Sequence, residues 1–313
     1  MFCFINSVLF YFSSVSHAFA PSAELSMRLT GIHLHSLLNS RKSKKEGYLI
    51  KKDYFTRIPN QYIRGDIRKL YGVSRKFYIT YILIDRYRSL EDFSWITIKK
   101  ILNYYGLKNT RNKPKAFKEI LDVLEYMVNS KMISIAQDID SITYDTGIEV
   151  KIISDNFDFP KNFCKFDFCV FDKIMDSDSA INNETLLLSY IYILSYIGEK
   201  SDQKEEESDS EYLKRLKEYP RAFFRDIGNM AKELSMSKDT ITKCINYFLS
   251  EQMLVKKTVG SIKKDGKPPQ NVPNIYVLNN DECQQEIEWA LEKMKEIYKV
   301  DYFDEIKGGN KNK

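Results

Sequence analysis

The spacing of apolar residues in the C-terminal third of the chain predicts two helices followed by a strand. Ile227, Ala231 and Leu234 are spaced as one buried face of a short helix. Ser237 follows, where a hydroxyl can cap a second helix, and residues 253–259 then read as an extended run. The apolar positions of the second helix follow the i, i+4, i+7, i+8 spacing of one buried face: Ile241, Ile245, Phe248 and Leu249.

The segment after this strand has the composition of a β-hairpin. Residues 266–269 read Gly-Lys-Pro-Pro, which cannot continue a helix and suits a hairpin tip. Residues 274–278 then predict an alternating return strand. Lys263, Lys264 and Lys267 fall on this hairpin, where their charges suit a phosphate backbone.

Residues 221–280 together resemble the signature of winged helix-turn-helix DNA-binding domains. The residues that carry the resemblance are Ala231, Leu234, Met236, Ser237, Thr240, Ile241, Ile245 and Leu254. The resemblance implies that the second helix enters the major groove of DNA, which is about 12 Å wide. A winged helix used only for protein contacts is the alternative.

The same order of elements occurs earlier in the chain, which predicts an internal repeat. Residues 77–84 form an apolar helix pattern like that of 186–194, and Ile98, Ile101 and Leu102 parallel the short helix that begins at Ile227. Pro114 then suits the first position of a longer helix. The buried stripe of that helix is Phe117, Ile120, Leu121, Leu124 and Val128.

The second part of the repeat is a helix-to-strand step followed by a wing. Residues 129–133 match residues 250–254 as the step from helix to strand. Residues 137–146 are expected to form the first wing, and 148–153 its return strand.

The repeat predicts a mainly α fold with small β-wings, built from two tandem winged-helix domains and a C-terminal helix. The first domain is expected at residues 45–158 and the second at 159–280. An acidic insert at 199–210 is expected to be a disordered loop within the second domain. Residues 281–306 predict an amphipathic helix that packs on the second domain, or pairs with another copy, and 307–313 predict a disordered tail.

Net charge changes sign along the chain. Residues 41–136 carry +13, residues 137–220 carry −10 and residues 221–280 carry +5, although the whole chain carries only +5. Each basic block coincides with one predicted helix-turn-helix, and such blocks raise the affinity of a protein for nucleic acid. Ordinary solvated charge is the alternative.

The first 44 residues predict a leader that is disordered or that precedes the true start of translation. Residues 1–20 are apolar and end in Ala18-Phe19-Ala20, which is typical of a secretory signal peptide. Their first residues contain no Lys or Arg, and Met27 is an alternative start. We expect a chain that begins at Met27 to fold and act like the full chain. A membrane anchor at 1–20 is the lesser alternative.

The sequence offers little for catalysis. Its three histidines, His17, His33 and His35, precede both predicted domains, so neither domain can build a Ser-His-Asp or Cys-His nucleophile. His33-Leu34-His35 resembles the metal-binding triplet of rolling-circle nicking enzymes, but it lies outside both domains. The five cysteines are scattered, and no P-loop motif is present. We therefore expect no enzymatic activity, no cofactor and no metal.

The residues expected to contact DNA are polar or basic. In the second domain they open the second helix or lie on the wing: Ser237, Lys238, Thr240, Thr242, Lys243, Lys263, Lys264 and Lys267. In the first domain they flank or open the longer helix: Arg111, Lys113, Lys115 and Lys118. N-terminal residues of such a helix usually meet base edges, whereas the cations of the first domain are expected to contact the DNA backbone. Ser237 is expected mainly to cap its helix.

Two tandem winged helices on one chain resemble the replication initiator proteins of plasmids and phages. The resemblance covers residues 45–280. It implies sequence-specific binding to double-stranded DNA, without catalysis, at the origin of a plasmid, phage or integrated element. It also implies host helicase or other replication proteins as partners, allows a homodimer, and implies no small-molecule substrate and a cytoplasmic location. A transcriptional regulator and a module that binds only proteins are the alternatives.

Overall fold

The computed structural model describes residues 55–64, 75–89, 92–105, 113–153, 163–198, 204, 206–263 and 268–304. Within these ranges the chain folds into nine α-helices and several small antiparallel sheets. Its class is therefore mixed α/β, whereas the sequence predicted a mainly α fold. The leader expected at residues 1–44 and the His33-Leu34-His35 triplet lie outside the described residues.

The first half of the described chain contains one three-stranded sheet and a separate first strand. The sheet has the strand order β2-β4-β3, with both pairs antiparallel. In chain order the elements are β1 (Phe55–Pro59), α1 (Lys76–Arg86), β2 (Phe93–Ile96), α2 (Ile98–Tyr104), α3 (Lys113–Asn129), β3 (Ile133–Ile135) and β4 (Ile148–Ile152).

The second half repeats this order with additions. Its last strand, β9, pairs with β6 on one side, and a single bridge from Phe223 to Tyr276 on β9 takes the place that β2 has in the first half. The elements are β5 (Phe163–Asp167), α4 (Phe168–Met175), α5 (Asn183–Ile197), α6 (Asp209–Glu218), α7 (Ile227–Leu234), α8 (Lys238–Ser250), β6 (Leu254–Lys257), β7 (Ser261–Ile262), β8 (Gln270–Asn271), β9 (Ile275–Leu278) and α9 (Cys283–Tyr298).

The helix-to-strand steps of the two halves have the same backbone geometry. Lys131 has φ 55° and Gln252 has φ 54°, so both helices end in a left-handed residue. The next amide donates to the carbonyl five residues earlier in each case, from Met132 to Met127 at 2.9 Å and from Met253 to Phe248 at 2.8 Å. The match predicted between residues 129–133 and 250–254 is therefore confirmed, with an offset of 121 residues.

Helices α1 and α5 lie at the centre of the molecule. Residues 77–84 of α1 and 185–195 of α5 are buried without interruption, because both helices are apolar all round. Both were predicted as apolar helices. Although α5 is the most continuous apolar helix, it has 15 residues, and in the described ranges no helix is long and apolar enough to cross a membrane.

The main hydrophobic core runs through both halves. It extends from Ile58 on β1 to Tyr276 on β9 and includes the buried sides of α1, α3, α5 and α8. Strands β1 and β5 also join the halves, because they pair antiparallel with Arg57 opposite Lys165. The sequence analysis did not identify this pair, whose strands lie more than 100 residues apart.

A second, smaller core lies under the C-terminal helix. Ile287, Ala290 and Met294 of α9 pack with Ile275 and Val277 of β9. Tyr276, between them in sequence, belongs to the main core instead. The return strand is therefore buried on both faces, and the alternating pattern expected for it was wrong. The expectation that this helix packs on the second half is confirmed.

The end of the acidic insert is ordered. The predicted loop covers residues 199–210, but α6 begins at Asp209. Ser208 caps it in a capping box with Glu211, and Glu207 pairs with Arg215 at 2.7 Å. Local hydrogen bonds thus give this acidic end a fixed conformation that its composition alone does not suggest.

Candidate nucleic-acid interface

Helices α7 and α8 form a tight helix-turn-helix whose two N-termini are capped by side chains. Asp226 accepts a hydrogen bond from the Asn229 amide at 3.1 Å, and Ser237 accepts one from the Thr240 amide at 3.0 Å. Ser235 ends α7 in the left-handed conformation, with φ 54°. The cap expected at Ser237 is therefore confirmed, and its hydroxyl oxygen is used by the helix itself.

A network of aromatic and charged side chains fixes α7 against the central helix α5. The Arg225 guanidinium stacks on the Tyr196 ring at 4.6 Å and pairs with Glu233 at 3.0 Å. The Tyr192 hydroxyl also donates to Glu233, at 2.8 Å. Burial raises the pKa of Tyr192, so this hydroxyl keeps its proton. The helix-turn-helix is thus held rigidly on the core.

The outer face of α8 is polar and carries two lysines. Ile241, Cys244, Ile245 and Phe248 are buried, so the helix turns its remaining side chains outward. Thr242 donates its hydroxyl to the Lys238 carbonyl at 2.9 Å. The exposed residues of this helix are Lys238, Asp239, Thr242, Lys243, Asn246 and Ser250, while Thr240 is half-buried.

The Lys238 side chain lies against the first turn of α7. A Cβ placed on Gly228 would lie 2.8 Å from Lys238 Cε and 3.0 Å from its Nζ. The same position is 2.7 Å from Asp226 Oδ1. The ammonium therefore lies near a carboxylate across Gly228, and a larger side chain there would push it away.

The far end of α8 is fastened to the body of the protein. The Lys173 ammonium on α4 donates to the Glu251 carbonyl at 2.6 Å and pairs with the Glu251 carboxylate at 3.1 Å. The N-terminal half of α8 is therefore the part that remains open to a ligand.

The strands after α8 add further exposed cations. Lys256 and Lys257 on β6 are exposed, and so is Lys263 beyond β7. The hairpin formed by β7 and β8 is held at its base by the C-terminal segment. Ser261 and Asp304 exchange two backbone hydrogen bonds there, of 2.9 and 2.8 Å. Gly260 has φ 128°, and a Cβ on it would lie 2.3 Å from the Asp304 carbonyl oxygen.

The equivalent helix of the first half has mixed charge. Lys115, Lys118, Asp122 and Glu125 are exposed along one face of α3. When the two halves are matched with the offset of 121 residues, Asp122 corresponds to Lys243. Glu125 corresponds to Asn246. The two predicted cations are thus followed, one turn later, by two carboxylates.

Residues 137–146, expected to form the first wing, connect the paired strands β3 and β4. The loop packs against the helices. Tyr144 stacks on Phe117 of α3 at 5.9 Å, and its carbonyl accepts from the Lys99 amide at 3.0 Å. Asp145 pairs with the Lys99 ammonium at 2.8 Å, and Asp138 and Asp140 are exposed. This loop therefore presents negative charge, which repels phosphate.

The predicted contact residues fall into two groups. Those on α8 and Lys263 are exposed in the second half, apart from the half-buried Thr240, while Lys115 and Lys118 are exposed on α3 in the first. Arg111, Lys264 and Lys267, and the side chain of Lys113, lie outside the described residues. Asn246, Lys256 and Lys257 are also exposed in the second half, and they were not among the predicted residues. The four-residue step from Thr242 places Asn246 on the same face of α8.

The described residues place no three His, Cys, Asp or Glu side chains where they could hold a metal ion. Comparison of the chain with protein-family models, curated proteins and solved structures found no match. Function is therefore inferred from the residues of this chain.

Proposed function

We propose that this chain binds double-stranded DNA sequence-specifically, without catalysis, through two winged helices in tandem. The role that fits best is origin binding in the replication of a plasmid, phage or integrated element. The observation that carries the proposal is the outer face of α8, where Lys238, Thr242, Lys243 and Asn246 are exposed on a capped helix-turn-helix.

The order of elements supports the winged-helix assignment. Each half has a buried apolar helix, a strand or bridge, two further helices and a closing pair of antiparallel strands, to which the second half adds β7 and β8. In the first half the last strand, β4, lies between β2 and β3. In the second half the last strand, β9, lies between β6 and the bridge from Phe223. A helix propped on such a base can enter the major groove, and the hairpin beside it can reach the DNA backbone.

The chemistry of α8 supports DNA as the ligand. Lysine can bind guanine O6 and N7, asparagine can bind adenine N6 and N7, and a threonine methyl can contact the thymine methyl. The exposed Lys256, Lys257 and Lys263 would add phosphate contacts that carry no sequence information. The second half would therefore supply most of the specificity.

The first half would have a weaker role. Lys115 and Lys118 can contact phosphates, but Asp122, Glu125 and the acidic loop at 137–146 disfavour deep entry into a groove. Linking this weaker unit to the second one still raises its effective concentration at the DNA.

A transcriptional regulator remains the second candidate, because it would use the same contacts. Direct repeats of the bound sequence next to the gene, and recruitment of host helicase, would favour replication. A protein-interaction module is the third candidate, and it predicts no duplex binding even at low salt.

The test is the double variant Lys238→Ala/Lys243→Ala, assayed on duplex sites selected from a random pool. We expect at least a tenfold loss of affinity, since a base-contacting side chain contributes about 1–3 kcal/mol. If both lysines contact phosphates instead, the slope of log K against log salt should decrease by about 1.8.

The matched control is Lys214→Ala/Lys217→Ala, which removes two exposed lysines from α6. It should leave affinity and salt slope unchanged. If both double variants lose the same affinity, the effect comes from net charge and not from the α8 interface. Unchanged affinity in the α8 variant would refute the proposed interface.

A further inference from the structure

The ribbon formed by β1 and β5 has one buried and one open face. Thr56, Ile58, Cys164 and Phe166 are buried and point into the main core. Residues of the opposite face are exposed or half-buried: Phe55, Arg57, Phe163, Lys165 and Asp167. This open face alternates aromatic and charged side chains.

The register of the ribbon is symmetric. Arg57 lies directly opposite Lys165, while Phe55 is opposite Asp167 and Pro59 is opposite Phe163. The two phenylalanines therefore stand at equal distances from the central cation pair, one on each strand. Both strands read Phe, any residue, then a cation, so each half of the chain contributes the same pair.

The cations lie against the aromatic rings. The Arg57 guanidinium is 5.5 Å from the centre of the Phe55 ring and 5.3 Å from that of Phe163. The Lys165 ammonium is 4.2 Å from the centre of the Phe55 ring. Neither cation forms an ion pair with a described carboxylate, although the Asp167 charge acts on Lys165 from the end of the ribbon.

Two cations directly opposite each other on an open ribbon repel, so this arrangement favours an anionic ligand. We propose that the open face of the β1–β5 ribbon binds single-stranded DNA. A phosphate of the strand lies between Arg57 and Lys165, and bases stack on Phe55 and Phe163.

An unpaired strand fits this face better than a duplex does. In a duplex the base faces are stacked inside, and a protein meets only base edges and phosphates. Aromatic rings that alternate with cations match the repeating bases and phosphates of a single strand. The cation–π contacts at this exposed site are weak, so a base can replace a cation on a ring.

The surface is separate from the duplex interface proposed above. It uses no residue of α8 or of its hairpin, and it would bind a strand after the duplex has opened. Its test therefore succeeds or fails independently of the duplex proposal.

The experiment measures binding of the full chain to fluorescent oligothymidine longer than ~16 nucleotides, at low salt, by anisotropy. Phe55→Leu/Phe163→Leu keeps apolar side chains but removes the rings, and it should weaken binding at least tenfold. Arg57→Gln/Lys165→Gln should weaken it similarly and decrease the salt slope by about 1.4.

A third variant should have the opposite effect on the affinity for oligothymidine. Asp167→Asn removes the one carboxylate of this face, so it should tighten binding severalfold. The charge variant and Asp167→Asn alter exposed side chains, so both remain informative even if the double leucine variant fails to fold.

A matched control exists on another sheet. Lys151 on β4 lies 5.5 Å from the centre of the Phe93 ring, in the same kind of contact. Lys151→Gln should leave binding to oligothymidine unchanged.

Three results would overturn the proposal. Oligothymidine binding unaffected by both ribbon variants would be one, and equal losses for duplex and single strand would be another. Tighter binding of oligouridine than of oligothymidine, lost in the same variants, would reassign the surface to RNA.

Discussion

Individual side chains on α8 divide between holding the helix and facing outward. The Ser237 hydroxyl accepts a hydrogen bond from the Thr240 amide of the same helix. The Thr242 hydroxyl donates one to the Lys238 carbonyl. Lys243 and Asn246 are exposed and make no hydrogen bond or ion pair with a described residue. If α8 binds DNA as proposed, these two side chains therefore have no competing polar contact with the part of the chain that the structure describes.

The ion pair between Glu207 and Arg215 depends on pH. Hydrogen bonding to the Arg215 side chain lowers the pKa of Glu207 from its ordinary 4.5 to about 2. Because the folded pKa is depressed, the contact is fully present above about pH 4.5. It is lost as pH falls towards 2.

We expect carbon-detected NMR titration of Glu207 to give a midpoint near 2 in the native protein. Arg215→Ala should return the midpoint towards 4.5, and Lys214→Ala on the same helix should not move it. A low midpoint that survives Arg215→Ala would contradict the assigned cause.

At the scale of the elements, the main feature is that two helices in the same backbone setting differ in charge, because α3 exposes two carboxylates as well as two lysines. Helix α3 has Asp122 and Glu125 where α8 has Lys243 and Asn246, in the same backbone setting. The two helices thus share a backbone setting but differ in the charge of their exposed faces.

Neutralising α3 tests this divergence. Asp122→Asn/Glu125→Gln should raise affinity for duplex DNA of any sequence by roughly fivefold, since one charge contact near a surface contributes ~1 kcal/mol. Competition titrations with specific and scrambled duplexes measure it, and circular dichroism checks the fold. A loss confined to one sequence would mean instead that these carboxylates accept hydrogen bonds from cytosine.

Sequence periodicity identified the helices whose neighbours lie nearby in the chain. The caps, the stripe of α8 and the helix-to-strand steps depend on residues a few positions apart, so the sequence sufficed. Pairing of β1 with β5 and stacking of Tyr144 on Phe117 depend on distant partners, and no local pattern indicates them. Asn246 was missed because polarity alone does not distinguish a contact from a solvated side chain.

One core joins both halves of the molecule, and this favours a single unfolding transition. Helices α1 and α5 pack together, and the Lys76 ammonium on α1 pairs with Glu184 of α5 at 2.8 Å and Glu119 of α3 at 3.5 Å. Each of these buried helices therefore packs against the other half as well as against its own. The main core is thus shared by the two halves.

A buried substitution at the centre tests this coupling. Ile191→Ala on α5 should cost about 2–5 kcal/mol, because Ile191 is fully buried. The two tryptophans, Trp95 and Trp289, report the first half and the C-terminal helix separately in variants that keep only one of them.

The urea midpoint should decrease equally for both reporters. The control Ile297→Ala, at an exposed position, should change stability by less than about 0.5 kcal/mol. If only one reporter shifts, the halves unfold independently.

The contact between Asp304 and Gly260 has a practical consequence for handling the protein. The hairpin that carries Lys263 is latched at its base by the segment around residue 304. A purification tag or surface linker fused close to that segment would therefore strain these backbone contacts and disturb the hairpin, which is far away in sequence. Immobilisation should instead avoid this end, so that affinities measured on a sensor chip match those in solution.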